Sequence, residues 1–475
     1  MRFPGTLTVQ ARLLLLERAL LPLPNYSVVN LFTDLLINDA LRSTYEEQIV
    51  RVYRAFAAKG CDNPDPAFLF YLTVYEERWG LEPGSLLGPA SVGFANKFPG
   101  HRAEAQVLGE QLFHVGPNLY TQFLYFVSVI SRYVEPDEPK ERGRPYACEG
   151  CEPAPEDWAE ALTPDALERE AILRAAREGW VRKEIAERMT DPDALSRRVF
   201  SLPGNGTDDA TMVPEVMAAY YRREAERFLL KPPPQRRLGE ATTPTTLDDW
   251  EPGDSPREID WPATLLTHGP DLGSALPLKR ERVAEVEGWD APLWQPRVEI
   301  YLDVSGSMSD PRATYNAMTL AAQVLVTGAV RAGGWARIVL YSSAPVVFWE
   351  WCRSERELSR FLMHYVGGGT DFPFDLLERS VAECGMDQPI RVVISDTDFH
   401  SNYKGRPGNA GILALAALAS PHCVLLLHLP EREDGWTTRY RAAGAQVVPV
   451  LNLDDYPAMA ANLAKALFER ERSNA

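Results

Sequence analysis

The chain has 475 residues, of which 45% are hydrophobic and 24% are charged; this supports about two to four globular domains and excludes a wholly disordered or fibrous protein. Its 49 basic and 66 acidic residues give a net charge of −17, which argues against general nucleic-acid binding and suits a divalent cation or a basic protein surface. Proline, at 38 residues, exceeds its usual share of about 5%, and we expect proline clusters to mark linkers.

The amino-terminal segment does not resemble a secretory signal, because its apolar run Leu13–Leu16 is short and is followed at once by Glu17 and Arg18. The most apolar later stretch, residues 411–429, is interrupted by a serine and a proline and is typical of a helix followed by a buried strand. Six cysteines are too few for a disulfide scaffold in a chain of this length. We therefore expect a cytoplasmic protein with reduced thiols and no membrane span.

Residues 1–230 are predicted to form a mainly helical domain. Helical spacing of apolar residues is clearest over Asn118–Val134, whose aromatic side chains we expect to be buried. An acidic, proline-rich linker is expected near residues 134–163, and Thr163 with Pro164 is predicted to begin the next helix. The second helical block has an apolar face, which we expect to pack against the rest of the helical domain.

A lone pair of cysteines, Cys148 and Cys151, lies within the acidic linker. Structural zinc needs four ligands, and the nearest histidine, His114, is distant in the sequence. A thioredoxin-like motif would need a strand before it and a helix after it, whereas these flanks are rich in proline and acid. We interpret the pair as an ordinary loop, with a zinc knuckle completed by a partner or a second copy as the alternative.

Residues 231–295 are predicted to form a proline-rich connector. It contains the segment WEPGDSPREIDW, Trp250–Trp261, in which Pro252–Gly253 indicates a turn and Asp254 can cap backbone amides. Two tryptophans that bracket acids suit either a segment docked on a neighbouring surface or a packed turn between domains.

Residues 296–475 predict an α/β domain with a doubly wound, Rossmann-like sheet, because apolar strands alternate with helices. The predicted strands are Val298–Leu302, Ala336–Tyr341, Val346–Trp351, Ile390–Ser395, Cys423–Leu429 and Gln446–Leu451. The predicted helices are Thr314–Ala332, Glu355–Tyr365, Phe374–Cys384, Asn409–Ala419 and Tyr456–Arg472. Most strands should be parallel and central, whereas the third should pair antiparallel with its predecessor because the connection between them is short.

Three oxygen-rich loops carry the candidate chemistry. The sequence LDVSGSMSD places Asp303, Ser305 and Ser307 directly after the first strand, GGGTDF carries Thr370, and VVISDTDF carries Asp396. Because ligands of open α/β sheets bind at the carboxyl ends of the strands, we expect these five side chains to meet at one edge of the sheet.

Hydroxyl and carboxylate oxygens are hard donors. They suit Mg²⁺ best here, with Ca²⁺ or Mn²⁺ as alternatives, whereas zinc prefers nitrogen and sulfur. Gly306, between the two serines, permits the tight bend that turns the alternating ligands inward. Because these ligands are short of both charge and coordination number, one position stays open for an outside oxygen, most simply from a glutamate or aspartate of a protein partner.

The motifs DVSGSM, GGGTD and the strand-terminal SD resemble the metal-ion-dependent adhesion site of von Willebrand factor A (VWA) domains. The resemblance covers about residues 296–475 and implies a site composed of Asp303, Ser305, Ser307, Thr370 and Asp396. In that family the serines and the threonine are ligands, and the aspartates bind directly or through water. Of the neighbouring Asp371, Asp398 and His400, we expect only Asp371 to support the ligands from behind.

The wider arrangement, a helical region and a WEPGD…IDW segment before the VWA domain, resembles bacterial VWA proteins of the CoxE-like and ViaA-like type, which work with MoxR-type AAA+ ATPases. This resemblance implies a non-enzymatic adaptor or co-chaperone. Its helical region would engage the ATPase or a client, and its metal site would clamp a partner carboxylate. Since the chain has no Walker A pattern, ATP hydrolysis would have to come from the partner.

Two other functions stay open. A metal-assisted hydrolase would need Asp398 and His400 to activate a water, although the chain has no HExxH or GxSxG motif. An RNA-binding scaffold of the helical-repeat-plus-VWA type is the other alternative, and the charge of −17 argues against it. A VWA fold that has lost its metal is a further alternative, which the five intact ligand positions disfavour.

Overall fold

The computed structural model describes residues 7–21, 27–59, 65–135, 153–191, 195–200, 202, 212–229, 244–269, 275–282, 295–385, 388–429 and 435–469. Cys148 and Cys151, and therefore the interpretation of that pair, lie outside these residues. The described residues divide into two compact units, one drawn from the chain up to Leu229 together with Pro296–Glu469, and one between Leu230 and Gln295.

The amino-terminal part of the first unit is helical throughout its described length. Its helices are α1 (Leu7–Leu20), α2 (Val28–Lys59), α3 (Pro66–Trp79), α4 (Ala90–Lys97), α5 (His101–Gln111), α6 (Leu119–Ile130), α7 (Pro155–Ala161), α8 (Ala166–Arg177), α9 (Lys183–Thr190), α10 (Leu195–Phe200) and α11 (Met212–Phe228). As predicted, α6 is buried: Asn118 caps it by accepting from the Tyr120 N–H at 3.0 Å, and Phe123 and Phe126 pack against Phe32.

The predicted linker near residues 134–163 contains a helix in its described portion. This helix, α7, buries Trp158 among residues of α1 and α11. The described end of the acidic stretch is therefore packed against neighbouring helices and is not a solvated linker. The next helix, α8, begins after Asp165 instead of at Thr163. The Asp165 carboxylate accepts from the Glu168 N–H at 2.8 Å, and an aspartate in this position caps a helix as well as a threonine does.

In its described residues, the second unit contains a two-stranded antiparallel sheet, an α-helix and a short 3₁₀ helix (Pro256–Glu258). Strands β1 (Pro244–Asp249) and β2 (Leu278–Arg282) pair, and helix α12 (Trp261–His268) begins at Asp260, whose carboxylate accepts from the Ala263 N–H. The predicted turn is present: Gly253 has φ +126°, and the Asp254 carboxylate accepts from the Glu251 N–H at 2.9 Å and pairs with Lys279 at 2.7 Å. The turn is therefore held within this unit by a hydrogen bond and an ion pair, although most of its residues are exposed.

The carboxyl-terminal part of the first unit is an α/β domain with a six-stranded sheet in the order β5-β4-β3-β6-β7-β8. Its strands are β3 (Arg297–Asp303), β4 (Trp335–Tyr341), β5 (Val346–Cys352), β6 (Ile390–Ser395), β7 (Cys423–His428) and β8 (Gln446–Val450). Its helices are α13 (Ala317–Arg331), α14 (Glu355–Leu362), α15 (Phe374–Glu383), α16 (Asp398–Gly405), α17 (Asn409–Leu418), α18 (Gly435–Ala442) and α19 (Tyr456–Glu469).

The predicted strands are confirmed, including the antiparallel pairing of β5 with β4 at one edge of an otherwise parallel sheet. Helix α13 begins at Ala317 rather than Thr314, because the Asn316 side chain caps it by accepting from the Thr319 N–H at 2.9 Å. Helices α16 and α18 were not predicted from the sequence. Both are eight residues long and lack a continuous apolar stripe, so their periodicity is weak.

The two faces of the sheet are covered by different helices, as the alternation of side chains along each strand requires. Val298, Ile300 and Leu302 of β3 point to the layer that contains α13 and α19, whereas Tyr301 points to the layer that contains α15 and α17. The central strands are buried on both faces, which is why they are almost continuously apolar in sequence.

Helix α11 packs against the α/β domain, which corrects our expectation that its apolar face would be buried within the helical region alone. Its buried face includes Val216, Met217 and Tyr221, and it contacts α13 and α14 as well as α7. The Tyr221 hydroxyl donates to the Thr314 carbonyl at 3.2 Å and accepts from the Asn316 N–H at 2.8 Å. Helical periodicity shows that a face is apolar but does not say which surface covers it.

Across the described helices, none is long and apolar enough to cross a membrane.

Candidate metal centre

Asp303, the last residue of β3, is buried at the carboxyl end of the sheet with 1% of its surface exposed. One carboxylate oxygen accepts from the Ser305 N–H at 3.0 Å, and the other accepts from the Ser395 hydroxyl at 2.8 Å. These two bonds fix the orientation of the carboxylate and tie the ends of two neighbouring strands, β3 and β6, together.

The two serines of the DxSxS segment point their hydroxyls at each other. The Oγ atoms of Ser305 and Ser307 are 3.1 Å apart, with Ser305 buried and Ser307 exposed. Residues at alternate positions of this bend therefore bring their oxygens together at the edge of the sheet, as the spacing predicts.

The glycine-rich loop fits against the bend so closely that no side chain could be inserted. The Gly306 N–H donates to the Gly368 carbonyl at 2.8 Å, and the Gly367 N–H donates to the Val304 carbonyl at 3.1 Å. A Cβ atom on Gly306 would lie 3.0 Å from the Gly368 carbonyl oxygen. Gly367 and Gly368 have φ of +67° and +85°, which only glycine adopts readily. The glycines therefore allow the loop that carries Thr370 to approach the serines.

Thr370 and Asp396 are connected through Asp398. The Asp398 N–H donates to the Asp396 carboxylate at 2.8 Å, and the Thr370 hydroxyl lies 3.5 Å from the Asp398 carboxylate. The Ser307 hydroxyl also interacts with Asp396. The three loops predicted from the sequence are thus brought to one edge of the sheet.

The site is short of positive charge. Burial raises the pKa of Asp303, and the negative charge of Asp396 raises it further. The hydrogen bonds from Ser305 and Ser395 lower this pKa but offset only part of the rise. The pKa of Asp396 is also raised, first by burial and then by the charge of Asp398. A buried carboxylate and a half-buried one that repel each other are a favourable environment for a cation, which would reverse both effects.

Three supporting residues were not identified from the sequence. The Ser395 hydroxyl donates to Asp303, and the Tyr456 hydroxyl of α19 donates to the Ser395 carbonyl at 2.6 Å. Tyr341 is buried close to Asp303, and both its burial and the Asp303 charge raise the pKa of the Tyr341 hydroxyl. The strand-terminal position of Ser395, directly before Asp396, was the available signal. The tyrosines come from elements that approach only in three dimensions.

Asp371 and Asp398 lie in different surroundings, and our expectation that Asp371 supports the ligands stays a prediction. Asp371 is exposed, and its N–H donates to the Ser342 carbonyl at 2.9 Å, whereas the Asp398 carboxylate lies beside Thr370. The imidazole of His400 has its Nδ1 2.6 Å from the Tyr440 hydroxyl and stacks on Trp436, with ring centroids 5.2 Å apart. Its ring is thus held by aromatic neighbours on α18.

The donor set fits a hard divalent cation. Hydroxyls and carboxylates prefer Mg²⁺, Mn²⁺ or Ca²⁺. Within the described part of the chain, no group of three or more His, Cys, Asp and Glu side chains could by itself hold a metal ion, so the hydroxyls would have to take part. The residues that would hold the ion are Asp303, Ser305, Ser307, Thr370 and Asp396, either directly or through water.

No family model matches the chain, and no curated protein matches it in sequence. Among solved structures, an aerotolerance-related membrane protein from Bacteroides fragilis, studied with multiple mutations to serine, is similar over 37% of this chain and 99% of its own, with 13% identity and a TM-score of 0.27. A von Willebrand factor type A protein from Catenulispora acidiphila is similar over 37% of this chain and 42% of its own, with 15% identity and a TM-score of 0.26. The structures similar to this chain thus include a VWA-type domain.

Proposed function

We propose that the protein is a metal-dependent protein-binding adaptor. Asp303, Ser305, Ser307, Thr370 and Asp396 would hold Mg²⁺, and a glutamate or aspartate of a partner would complete its coordination. The observation that carries the proposal is the convergence of three loops on one sheet edge, where a fixed, buried carboxylate lies beside paired hydroxyls and a second carboxylate.

The charges of these side chains favour an outside carboxylate as the last ligand. Three of the five donors are neutral hydroxyls, so Asp303 and Asp396 supply all the negative charge of the set. A metal held this way stays electrophilic and attracts a third carboxylate more strongly than a site built from three or four acids would. The exposed side of the site, at Ser307 and Thr370, leaves room for a partner side chain to approach.

A MoxR-type AAA+ ATPase is the partner class that we propose, on the resemblance of the domain arrangement to VWA proteins that act with such ATPases. The packing of α11 on α13 supports a role in which the helical region and the metal site act together, because Tyr221 holds the segment that follows the serines. We propose a binding function and not catalysis. The imidazole of His400 is engaged by Tyr440 and Trp436, which supports this choice.

Affinity capture with the tagged full chain tests the proposal. We expect partners to be retained in Mg²⁺ and released by EDTA, and we expect Asp303→Ala and Ser305→Ala to abolish capture while circular dichroism shows an intact fold. Asp375→Ala, an exposed acid on α15, is the matched control and should capture normally. Capture that survives both EDTA and the two site substitutions would refute the adhesion mechanism.

Mass spectrometry of the Mg²⁺-dependent fraction tests the partner class. We expect it to identify an AAA+ ATPase. Another class of protein in this fraction would contradict the proposed partner but not the metal-dependent binding.

A further inference from the structure

Tyr341, the last residue of β4, carries a buried hydroxyl that neither the fold nor the ligand set uses. Its side chain is fully buried, with 0% of its surface exposed. No described atom meets the distance and angle of a hydrogen bond with the Tyr341 hydroxyl oxygen. A buried hydroxyl without a partner costs free energy, and the few that persist in native proteins often serve a bound ion or water.

The register of the sheet places Tyr341 beside the candidate metal centre. Tyr341 is the partner of Asp303 in the parallel pairing of β4 with β3, and side chains in register on neighbouring strands project from the same face. That face is the one covered by α15 and α17, because Tyr341 belongs to the apolar layer there. On the opposite side of Asp303, Ser395 ends β6 and donates to the carboxylate at 2.8 Å. Asp303 thus lies between Tyr341 and Ser395.

Contacts with two of the three loops hold Tyr341 in place. The Val304 N–H, at the start of the DxSxS bend, donates to the Tyr341 carbonyl at 2.9 Å. The Tyr341 ring packs edge-to-face against Phe372 of the GGGTDF loop, with centroids 5.1 Å apart. A ring fixed at the junction of these loops keeps its hydroxyl in one position, so the hydroxyl can bind a ligand there with little loss of entropy.

The electrostatic surroundings of the hydroxyl are those of the metal centre. Burial raises the pKa of Tyr341, and the charges of Asp303 and Asp396 raise it further. The Ser395 hydroxyl offsets part of this rise, although its own proton is donated to Asp303 and it does not meet hydrogen-bond geometry with Tyr341. The hydroxyl therefore lies within reach of the field of both carboxylates of the proposed site.

A hydrated cation would supply the partner that this hydroxyl lacks. Mg²⁺ gives up its water reluctantly and keeps several water molecules in protein sites, whereas Ca²⁺ takes more protein oxygens in a flexible geometry. A water on a divalent cation is a strong hydrogen-bond donor, because the cation withdraws electron density from its oxygen. The lone pairs of the Tyr341 hydroxyl are not used by any described atom and can accept from such a water.

We propose that Tyr341 is a positioning residue of the metal centre, and that its hydroxyl accepts a hydrogen bond from a water that Mg²⁺ retains. The inference rests on the proposed metal-binding function and assigns to Tyr341 a part in the choice of cation. An ion that keeps its water gains this bond, whereas an ion that exchanges water for protein oxygens gains less from it. Tyr341 therefore favours Mg²⁺ over Ca²⁺.

Calorimetry on the full chain, with Mg²⁺ and Ca²⁺ titrated separately, tests the inference through Tyr341→Phe, which removes only the hydroxyl. We expect Mg²⁺ to bind about tenfold more weakly, as is common when a group behind the metal ligands is lost, and Ca²⁺ binding to weaken by a smaller factor. Tyr220→Phe on α11 is the matched control. That hydroxyl also makes no hydrogen bond to any described residue but belongs to none of the three loops, so both ions should bind as they do to wild type.

Urea unfolding in EDTA separates this role from a purely structural one. Because the Tyr341 hydroxyl is buried without a partner in the metal-free fold, Tyr341→Phe should raise the urea midpoint. Tyr456→Phe should lower it, since the Tyr456 hydroxyl donates to the Ser395 carbonyl at 2.6 Å. A lower midpoint for Tyr341→Phe would show that its hydroxyl already has a stabilising partner, and would overturn the proposal.

The two titrations also distinguish failure of this inference from failure of the metal centre. Wild-type Mg²⁺ affinity in Tyr341→Phe, or an equal weakening for both ions, would overturn the role of Tyr341 and leave the metal centre in place. A wild-type chain that binds neither ion would refute the metal centre, and the role of Tyr341 would fail with it.

Discussion

At the scale of single residues, the candidate metal centre combines carboxylates that repel each other, a repulsion that a bound cation would relieve. Burial and the charge of Asp396 raise the pKa of Asp303, so its charged form is disfavoured in the metal-free fold. The DxSxS spacing, the glycines and the strand-terminal aspartate were all readable in the sequence. The role of Ser395 could not be predicted from the sequence. Its hydrogen bond to Asp303 joins the ends of two neighbouring strands, and it therefore depends on the order of strands in the sheet.

The unfavourable burial of the Asp303 charge predicts how Asp303→Asn changes the free energy of unfolding in EDTA. A carboxyl group whose pKa is raised by folding costs stability above that pKa, and the cost disappears as the pH falls through the raised pKa towards the ordinary value of 3.8. We therefore expect Asp303→Asn to be more stable than wild type by about 1 kcal/mol at pH 7, with the difference shrinking at acidic pH. Urea unfolding of both proteins at a series of pH values measures this difference in the free energy of unfolding. A variant that is destabilised at pH 7, or a difference that grows on acidification, would refute this assignment.

At the scale of elements, the strands and the antiparallel pairing of β5 with β4 were predicted from apolar runs and a short connection, whereas the order of the sheet and the position of α11 were not. A helix with one apolar stripe can cover any apolar surface, and only the structure shows that Tyr221 reaches the segment between the DxSxS bend and α13. The strand register also places three buried charged residues, Glu299, Arg337 and Arg391, side by side in the sheet. This arrangement was not predicted, because the sequence does not show which residues of neighbouring strands lie beside each other.

The contact of α11 with α13 predicts the effect of Tyr221→Phe. Loss of the buried hydroxyl leaves the Thr314 carbonyl and the Asn316 N–H without that partner, which should cost about 1–3 kcal/mol of unfolding free energy. Thr314 and Asn316 lie in the segment that connects the DxSxS bend to α13. We therefore also expect Tyr221→Phe to bind Mg²⁺ more weakly than the wild-type chain does. Tyr220→Phe is the control, since that hydroxyl makes no hydrogen bond to any residue with described coordinates. Equal stability and Mg²⁺ affinity in the two variants, measured by urea unfolding and calorimetry, would contradict a role for Tyr221 at the site.

At the scale of the whole molecule, the carboxyl edge of the sheet gathers acids and hydroxyls that suit a cation. Helix α11 joins the helical region to this domain in one compact unit. The acidity of the chain, which first argued only against nucleic acid, thus includes a small, organised pair of carboxylates, Asp303 and Asp396, that we propose binds a cation.

Titration of Mg²⁺ into the metal-free full chain by calorimetry decides whether the three loops form a metal centre. We expect saturable binding of one ion per chain, absent in Asp303→Ala and weakened about tenfold in Thr370→Ala, which loses one neutral donor. Ser309→Ala, an exposed serine just beyond the predicted ligands, should bind as wild type does. Absence of saturable binding to the wild-type chain, or the same binding to Asp303→Ala, would contradict the claim that these loops form a metal centre.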